Sequence, residues 1–284
     1  MNKKTKRKWL YFLIGIAMLL YFFHFQNNSI VISEYTISSE KIPQSFDAYK
    51  IVQISDLHSK SFGKDQSNLV KKVNELKPDA IVFTGDLIDS DRYDEKPSLK
   101  LMERLVGMAP VYYVTGNHEW WSGKFHTIEG KLHNIGVQVM RNTTEEVSIG
   151  NDKIKIIGID DPANVESYLQ EAVTEENIAK AIGEIEGEDH FQILLSHRPE
   201  MFSLYRKYGL DVVFSGHAHG GQIRIPFVGG LIAPNQGLLP KYTSGKYELE
   251  STTMIVNRGL GNSIIPIRVF NRPEIVVVTL SSVQ

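Results

Sequence analysis

The chain between residues 49 and 118 alternates short apolar runs with amphipathic stretches. The runs YKIVQISD, DAIVFTGD and PVYYVTGNH are typical of buried strands. Between them, SNLVKKVNELK carries apolar residues at helical spacing and stops at Pro78, while PSLKLMERLVGM opens with Pro97, which suits a first helical turn. Strands that alternate with helices predict a largely parallel sheet.

The chain after residue 136 is richer in strands than in helices. VQVM, EEVSIG and KIKIIGID predict short strands joined by turns, and FQILLSH and LDVVFSGH predict buried strands. The closing stretch RGLGNSIIPIRVFNRPEIVVVTL contains two further predicted strands. We therefore predict one α/β domain over residues 48–284, in which two sheets pack together with helices on the outside.

The N-terminus combines a basic tail with an apolar run. Residues 1–8 carry five Lys and Arg side chains, and residues 9–25 carry no charge. A membrane-spanning helix needs roughly 17–25 apolar residues, so we predict a cytoplasmic tail, an uncleaved signal anchor and then a connector over 26–47 with some strand character. The next basic residue is Lys41, so the positive-inside rule predicts a single-pass cell-membrane protein with an extracytoplasmic domain. A cleaved secretion signal is the alternative.

The composition restricts the chemistry that the domain can perform. The chain has no cysteine, which excludes disulfides, thiolate nucleophiles and cysteine-ligated metal sites. Any bound metal must be held by His, Asp, Glu or Asn side chains. The net charge is −2, so the composition predicts no bulk affinity for nucleic acid.

Polar side chains follow five of the predicted strands at the point where each strand ends. They are Asp56, His58, Asp86, Asp89, Asn117, His118, Glu119, His197, His217 and His219. Ligands of open α/β sheets bind outside the carboxyl ends of the strands. Clustered carboxylates and imidazoles are costly to bury without partners, and a divalent metal removes that cost. Residues two apart in an extended segment point the same way, so each Asp-x-His or His-x-His pair can reach one site.

The order of these motifs resembles the calcineurin-like metallophosphoesterase superfamily. DLH, GDLID, GNHE, His197 and GHAH occur in order, and the continuation GHAHGGQIRIP and the tail RGLGNSIIPIRVFNRPEI resemble the membrane-anchored bacterial branch. The resemblance implies two mixed β-sheets packed as a sandwich and flanked by helices. It also implies a ligand set for two divalent ions. Asp56, His58 and His219 would hold the first ion, Asn117, His197 and His217 the second, and Asp86 would bridge them.

The chemistry implied is hydrolysis of a phosphomonoester, a phosphodiester or a pyrophosphate by a metal-bridging hydroxide. Oxygen and imidazole ligands suit Mn²⁺, Fe or Zn²⁺, and we expect Mn²⁺ because the family often uses it. His118 is the expected general acid, Asp89 is expected to orient it, and Glu119 is expected to support the ligands without being one.

The substrate is less constrained by the sequence. Arg198, Trp120 and Lys241 are candidate substrate contacts, and the apolar, glycine-rich segment over residues 226–247 is a candidate lid. Together with the predicted anchor, this favours a phosphate ester linked to a lipid or the cell wall. Two alternatives stay open: a nucleotide phosphodiesterase or nuclease with the same metal chemistry, and a non-catalytic protein that binds wall or lipid. No basic run outside the N-terminus supports a nucleic-acid partner.

Overall fold

The computed structural model describes residues 3–183, 190–263 and 265–283. The strands of the domain form two six-stranded sheets and two small hairpins. The helices are α1 (Lys3–Asn28), α2 (Ser67–Leu76), α3 (Glu95–Leu105), α4 (Asn117–Trp121), α5 (Phe125–Ile135), α6 (Gln170–Ile182) and α7 (Phe202–Lys207).

The first sheet contains both the beginning and the end of the domain. Its strands are β1 (Val31–Ser39), β2 (Lys50–Ile54), β3 (Ala80–Thr84), β4 (Val111–Val114), β5 (Gln138–Val139) and β16 (Glu274–Ser282). Their spatial order is β1-β16-β2-β3-β4-β5. All neighbours are parallel except β16 and β2, so the sheet is mixed.

The second sheet is also mixed. Its strands are β6 (Thr143–Ile149), β7 (Asp152–Gly158), β8 (Gln192–Leu195), β9 (Val212–Ser215), β14 (Gly245–Leu249) and β15 (Thr252–Val256). Their order is β14-β15-β9-β8-β7-β6, with antiparallel pairs at both edges and parallel pairs inside. Between β9 and β14 lie two short hairpins, formed by β10 (Arg224–Ile225) with β11 (Gly229–Gly230) and by β12 (Ile232–Ala233) with β13 (Gly237–Leu238).

Successive side chains of the central strands point to opposite faces of their sheet, and this alternation produces the layers of the fold. Ile51 and Val82 face the second sheet, where they meet Phe214 of β9, whereas the adjacent Val52 and Phe83 face α2, α3 and α5. Helices α6 and α7 cover the outer face of the second sheet. Because both faces of each sheet are buried, the central strands are continuous apolar runs. The predicted sandwich of two mixed sheets flanked by helices is confirmed.

The carboxyl ends of β2, β3, β4, β8 and β9 meet at one edge of the sandwich. Gln53 of β2 crosses between the sheets there, donating from Nε2 to Ser215 O at 2.9 Å and to Thr84 Oγ1 at 3.0 Å. This buried amide joins three of the five strands just below the loops that follow them. The loops that follow these strands therefore start from strand ends whose relative positions are fixed.

Two features of the N-terminal region differ from the predicted boundaries. The helix α1 runs continuously from Lys3 to Asn28, so it includes most of the basic tail as well as the apolar run. The predicted connector contains β1, which pairs with β16 over nine residues, so the sheet begins before residue 48. The helix α1 is long and apolar enough to cross a membrane.

Candidate metal centre

Five of the seven predicted ligands lie in left-handed backbone conformation. Their φ angles are 50° for Asp56, 48° for His58, 53° for Asp86, 64° for His217 and 46° for His219. This conformation is unfavourable for residues other than Gly, and such strain concentrates at functional sites. In each loop it turns the chain sharply at the strand end, which brings the side chain back over the edge of the sheets.

The first group of ligand atoms comes from β2, β3 and β9. Nε2 of His58 lies 3.1 Å from Nε2 of His219 and 3.5 Å from Oδ2 of Asp86. Nε2 of His219 lies 3.4 Å from Oδ1 of Asp56. All four side chains are buried, and Nδ1 of both imidazoles has no hydrogen-bond partner among the described residues.

The second group surrounds Nε2 of His197. Oδ2 of Asp86 and Oδ1 of Asn117 each lie 3.2 Å from it, and Nδ1 of His217 lies 3.1 Å from it. Nδ1 of His197 donates to Thr84 O at 2.7 Å, which orients the ring and leaves Nε2 facing the group. Asp86 therefore belongs to both groups.

The centre consists mainly of acceptor atoms and requires positive charge. Burial opposes protonation of His197, but the charges of Asp86, Asp56 and Asp161 together outweigh burial and raise the pKa of His197 to about 10. Burial raises the pKa of Asp56 to about 6 and lowers the pKa of His58 to about 3, because each charged form loses water. Two divalent cations would satisfy the same acceptors, so the residues present fit a dinuclear centre.

The sequence of this domain matches a known family. Residues 49–221 match the family model described as calcineurin-like phosphoesterase. The chain belongs to this family. It is 35% identical over 267 residues to the uncharacterized metallophosphoesterase YkuE of Bacillus subtilis, covering 91% of this chain and 88% of that protein. The resemblance drawn from the motif order is thus confirmed.

Two further relatives are similar over most of this metallophosphoesterase. An uncharacterized metallophosphoesterase of Aquifex aeolicus is 30% identical over 272 residues, covering 93% of this chain and 97% of that protein. A Bos taurus protein described as a transmembrane protein with metallophosphoesterase domain is 29% identical over 254 residues, covering 85% of this chain and 55% of that protein. Bacterial and animal proteins therefore share this domain.

A solved structure shares the fold. The crystal structure of the protein TT1561 of Thermus thermophilus superposes with a TM-score of 0.50 and 14% identity, covering 75% of this chain and 90% of that one. Membership of the metallophosphoesterase family makes the chain a phosphoester hydrolase. The family and the two ligand groups together imply a pair of divalent ions.

Glu119 supports the loops of the metallophosphoesterase centre without facing the ion groups. Its Oε2 accepts from the N–H groups of Asp86 at 2.9 Å and Gly116 at 2.6 Å. Its Oε1 accepts from the N–H groups of Leu87 at 2.9 Å and Ile88 at 3.2 Å. One carboxylate thus ties the loop after β3 to the loop after β4, in line with the supporting role expected for it.

His118 is held in a different way from the one predicted. Its Nδ1 accepts a hydrogen bond from the N–H of Ser90 at 3.0 Å and lies 3.0 Å from the Ser90 hydroxyl. Asp89 instead accepts from the N–H and the guanidinium of Arg92 at 2.8 and 2.7 Å, and its Oδ2 lies 3.8 Å from Nδ1 of His58. Ser90 therefore contacts His118 directly, while ligand atoms of Asp89 and His118 lie within 4.8 Å of each other without a hydrogen bond between them among the described contacts.

Arg198 lies beside the centre but is fully engaged. It forms a two-bond pair with Asp161, at 2.5 and 2.9 Å, and Nη1 donates to Asn235 Oδ1 at 2.8 Å. Nη1 also lies 3.2 Å from Nε2 of His217. The guanidinium is buried, and both its Nη1 and Nε2 of His217 meet Asn235 Oδ1, so Arg198 supports His217 through Asn235.

The other two predicted substrate contacts make their observed contacts with residues outside the two ligand groups. Trp120 packs in the core under α5 and donates from Nε1 to Thr115 at 3.3 Å, whereas the adjacent Trp121 is exposed with its ring 5.3 Å from that of His118. Lys241 is exposed and lies over the ring of Tyr242. Trp121 is thus the tryptophan whose ring contacts His118.

A cavity of about 260 Å³ adjoins the centre at His219. Its lining is mainly apolar and includes Ile232 and Ile265. Ser263 lies on its wall and places its hydroxyl 3.2 Å from Nε2 of His118. Ser263 lies within the tail RGLGNSIIPIRVFNRPEI, but the motif assigned it no role, and the fold brings it to His118 from 145 residues away.

Proposed function

We propose that this chain is a dinuclear-metal phosphohydrolase that acts on a phosphate ester or pyrophosphate linked to the membrane or the cell wall. The observation that carries the proposal is the pair of buried ligand groups that share Asp86. Asp56, His58 and His219 hold one ion, and Asn117, His197 and His217 hold the other.

The ions are proposed to be Mn²⁺, with Fe or Zn²⁺ as the alternatives compatible with imidazole and carboxylate ligands. When bound, a pair of divalent ions lowers the pKa of water towards about 7 and neutralises charge on the phosphoryl oxygens. The protein contributes the fixed geometry: hydrogen bonds to Thr84 O and Asn235 Oδ1 orient His197 and His217.

His118 is proposed to assist the leaving group. In the imidazolium form the ring donates from Nδ1 to the Ser90 hydroxyl at 3.0 Å and carries its second proton on Nε2, which faces Ser263 at the cavity wall. Loss of the Nε2 proton leaves a neutral ring. Nε2 is therefore the atom that donates to a departing alkoxide in the cavity. Asp89, beside His58, is proposed to act on the ligand side of the centre instead.

The proposed substrate and location rest on α1 and on the cavity. The helix α1 is proposed to cross the cell membrane once with its basic end in the cytoplasm. Ile232 and Ile265 line the cavity next to His219, which suits a substrate with an apolar portion. Arg198 is buried against Asp161 and Trp120 packs in the core, so we propose no substrate contact for them, whereas the exposed Lys241 stays a candidate contact.

The test combines metal analysis with hydrolysis by the full-length protein in nanodiscs. We expect two equivalents of transition metal and hydrolysis of bis(p-nitrophenyl) phosphate that EDTA abolishes and Mn²⁺ restores. Asp86→Asn should lose both the metal and the activity, whereas Asp152→Asn, at the first residue of β7, should keep both. An active metal-free protein, or an Asp86→Asn variant with full activity, would contradict the dinuclear centre.

A substrate screen separates the remaining alternatives. Phospholipids, glycerophosphate polymers and nucleotides should be offered to the same preparation at equal phosphate concentration. Preference for a lipid- or wall-linked ester supports the proposal, and preference for nucleotides favours the nucleotide phosphodiesterase. Metal binding with no hydrolysis of any ester would favour the non-catalytic protein.

A further inference from the structure

A long uncharged segment lies on the surface of the domain. Residues 225–240 contain no Asp, Glu, Lys or Arg. This segment carries β11, β12 and β13, and its side chains Phe227, Val228, Leu238 and Leu239 are exposed, with Leu238 exposed to 72%. Soluble surfaces rarely leave several large apolar side chains together in water, and such a patch marks an interaction site.

The uncharged segment is continuous with the carboxyl end of α1. The strand β10, where the segment begins, lies beside residue 269, because the N–H of Arg224, just before the segment, donates to Val269 O at 3.0 Å. The next residue, Phe270, is exposed, lines a surface cavity together with Phe227, and has its ring 5.7 Å from that of Phe22 in α1. Phe22, Phe270 and Phe227 therefore form one apolar strip.

The end of α1 is fixed to the domain by polar contacts. Asn262 donates to Asn27 Oδ1 at 2.8 Å, and the N–H of Asn271 donates to Gln26 Oε1 at 3.3 Å. Arg272 donates to Ser29 O at 2.9 Å. Since these bonds come from two successive residues of the helix and from the residue just after it, the domain cannot swing freely about α1.

The contact with Phe22 defines the depth of the strip. Phe22 belongs to the apolar run of α1 and lies three residues before its end at Phe25, roughly 4.5 Å along the helix axis. A side chain that contacts Phe22 from the domain is therefore level with the last turn of the run. The guanidinium of Arg272, which lies 4.7 Å from the centre of the Phe25 ring, is at the height where basic side chains meet lipid headgroups.

We propose that residues 225–240 and Phe270 form a second membrane-contacting surface, seated in the outer part of the bilayer that α1 crosses. The proposal rests on the placement of α1 in a membrane but not on catalysis. The occupant is a lipid surface because the strip continues the apolar surface of α1 and carries no charge. Since Ile232 of the same segment lines the cavity beside His219, this surface holds the metal centre next to the headgroups.

The chain has no cysteine, so single cysteines can carry a spin label in the full-length protein in nanodiscs. We would label Phe227→Cys, Leu238→Cys, Leu19→Cys in α1 and Ile149→Cys. Ile149 ends β6 at the turn before β7, on the edge of the sheet opposite the metal centre. Power saturation with oxygen and with a water-soluble nickel chelate measures the depth of each label.

We expect the labels at residues 227 and 238 to favour oxygen over the nickel chelate, as the label at Leu19 does, and the label at Ile149 to favour the chelate. Labels at 227 and 238 that match Ile149 while Leu19 is in lipid would overturn the membrane surface. A label at Leu19 in water would overturn the placement of α1. Hydrolysis of bis(p-nitrophenyl) phosphate by the same labelled proteins reports separately on the proposed function.

A charge substitution provides a second measurement. Phe227→Glu should shift the label at residue 238 towards water, whereas the matched Ile149→Glu should leave it unchanged, because a carboxylate is costly to bury in lipid. Both variants should hydrolyse bis(p-nitrophenyl) phosphate as the parent does. A label that stays in lipid in Phe227→Glu would contradict contact through Phe227.

Discussion

The ligand residues combine unfavourable backbone with buried polar side chains. Asp56, Asp86 and His219 are left-handed, buried and surrounded by other acceptors. Each of these properties opposes folding. The left-handed backbone alone costs roughly 1–2 kcal/mol per residue. Packing in the rest of the domain must offset this cost of folding, and the two buried sheets and their helices provide that packing.

His118 offers the sharpest test of a single side chain. We expect His118→Ala to slow hydrolysis of alkyl phosphate esters by about 10²–10⁴-fold, the usual contribution of a general acid. Hydrolysis of p-nitrophenyl esters should fall much less, because p-nitrophenolate leaves without a proton. Steady-state rates with both classes of ester, at saturating metal, measure the difference.

His118→Gln distinguishes proton transfer from hydrogen bonding. A glutamine amide can donate a hydrogen bond from a similar position but cannot transfer a proton. If His118→Gln keeps the parent rate with alkyl esters, hydrogen bonding suffices and the general-acid role is wrong. Equal losses for both ester classes in His118→Ala would also contradict that role.

At the scale of elements, the strand ends and the turns after them build the site. Gly216 shows how little space they leave, because a Cβ there would overlap the Ser55 hydroxyl and the Asp56 carboxylate. We expect Gly216→Ala to displace Asp56, weaken metal binding and destabilise the domain by about 1–3 kcal/mol, as overpacking does. Metal titration and urea denaturation measure the two effects.

Gly130 provides the matched control. It lies inside α5, and a Cβ there would meet no atom within 4 Å. Gly130→Ala should therefore leave metal binding unchanged and stabilise the protein by roughly 0.5–1 kcal/mol. Parent-like metal affinity in Gly216→Ala would show that the loop has room that the structure does not indicate.

The junction between α1 and the domain predicts a pH dependence of stability. Lys60 donates to Asn27 O at the end of α1 and to Leu260 O, and burial, together with the charge of Arg268, lowers its pKa from 10.5 to about 7. Between pH 7 and pH 10 the unfolded chain then binds more protons than the folded one, so this residue makes stability rise with pH. Lys60→Met should flatten that rise.

Thermal unfolding of the nanodisc-embedded protein from pH 7 to pH 10 measures the slope. Lys71→Met, an exposed lysine of α2 that faces Glu75, is the control and should keep the parent slope. A Lys60→Met profile parallel to that of the parent would mean that Lys60 keeps its ordinary pKa in the folded protein.

The elements also show which parts of the structure could be predicted from the sequence and which could not. The ligand residues were predictable because each follows an apolar run directly. The edge strand β1 was predicted only as a connector with some strand character, because it lacks such a run, although burial along it alternates from Val31 to Ile37 as in a strand. Ser90 and Asp161 were not identified, because their partners, His118 and Arg198, lie 28 and 37 residues away in the sequence.

At the scale of the whole molecule, the order of motifs determined the family, the sandwich and the ion pair, because these depend on short sequences at strand ends. The roles of Arg198 and Asp89 depend on partners elsewhere in the chain. Arg198 meets Asp161 from 37 residues away, and Arg92 takes the place next to Asp89. Spacing alone does not show which of several neighbours a long side chain selects.

Orientation in the membrane is the remaining property of the whole chain that the N-terminus predicts. The basic residues lie before the apolar run, and the next one after it is Lys41, so the tail should stay in the cytoplasm. Single cysteines at Thr5 and Tyr168 should then react differently with a membrane-impermeant maleimide in intact cells, with Tyr168→Cys labelled at once and Thr5→Cys only after lysis. Tyr168 is 79% exposed, so access to the reagent does not limit its reaction.

Labelling of Thr5→Cys alone in intact cells would reverse the orientation and place the metal centre in the cytoplasm. A mature protein shortened by the length of α1 would instead support the cleaved signal.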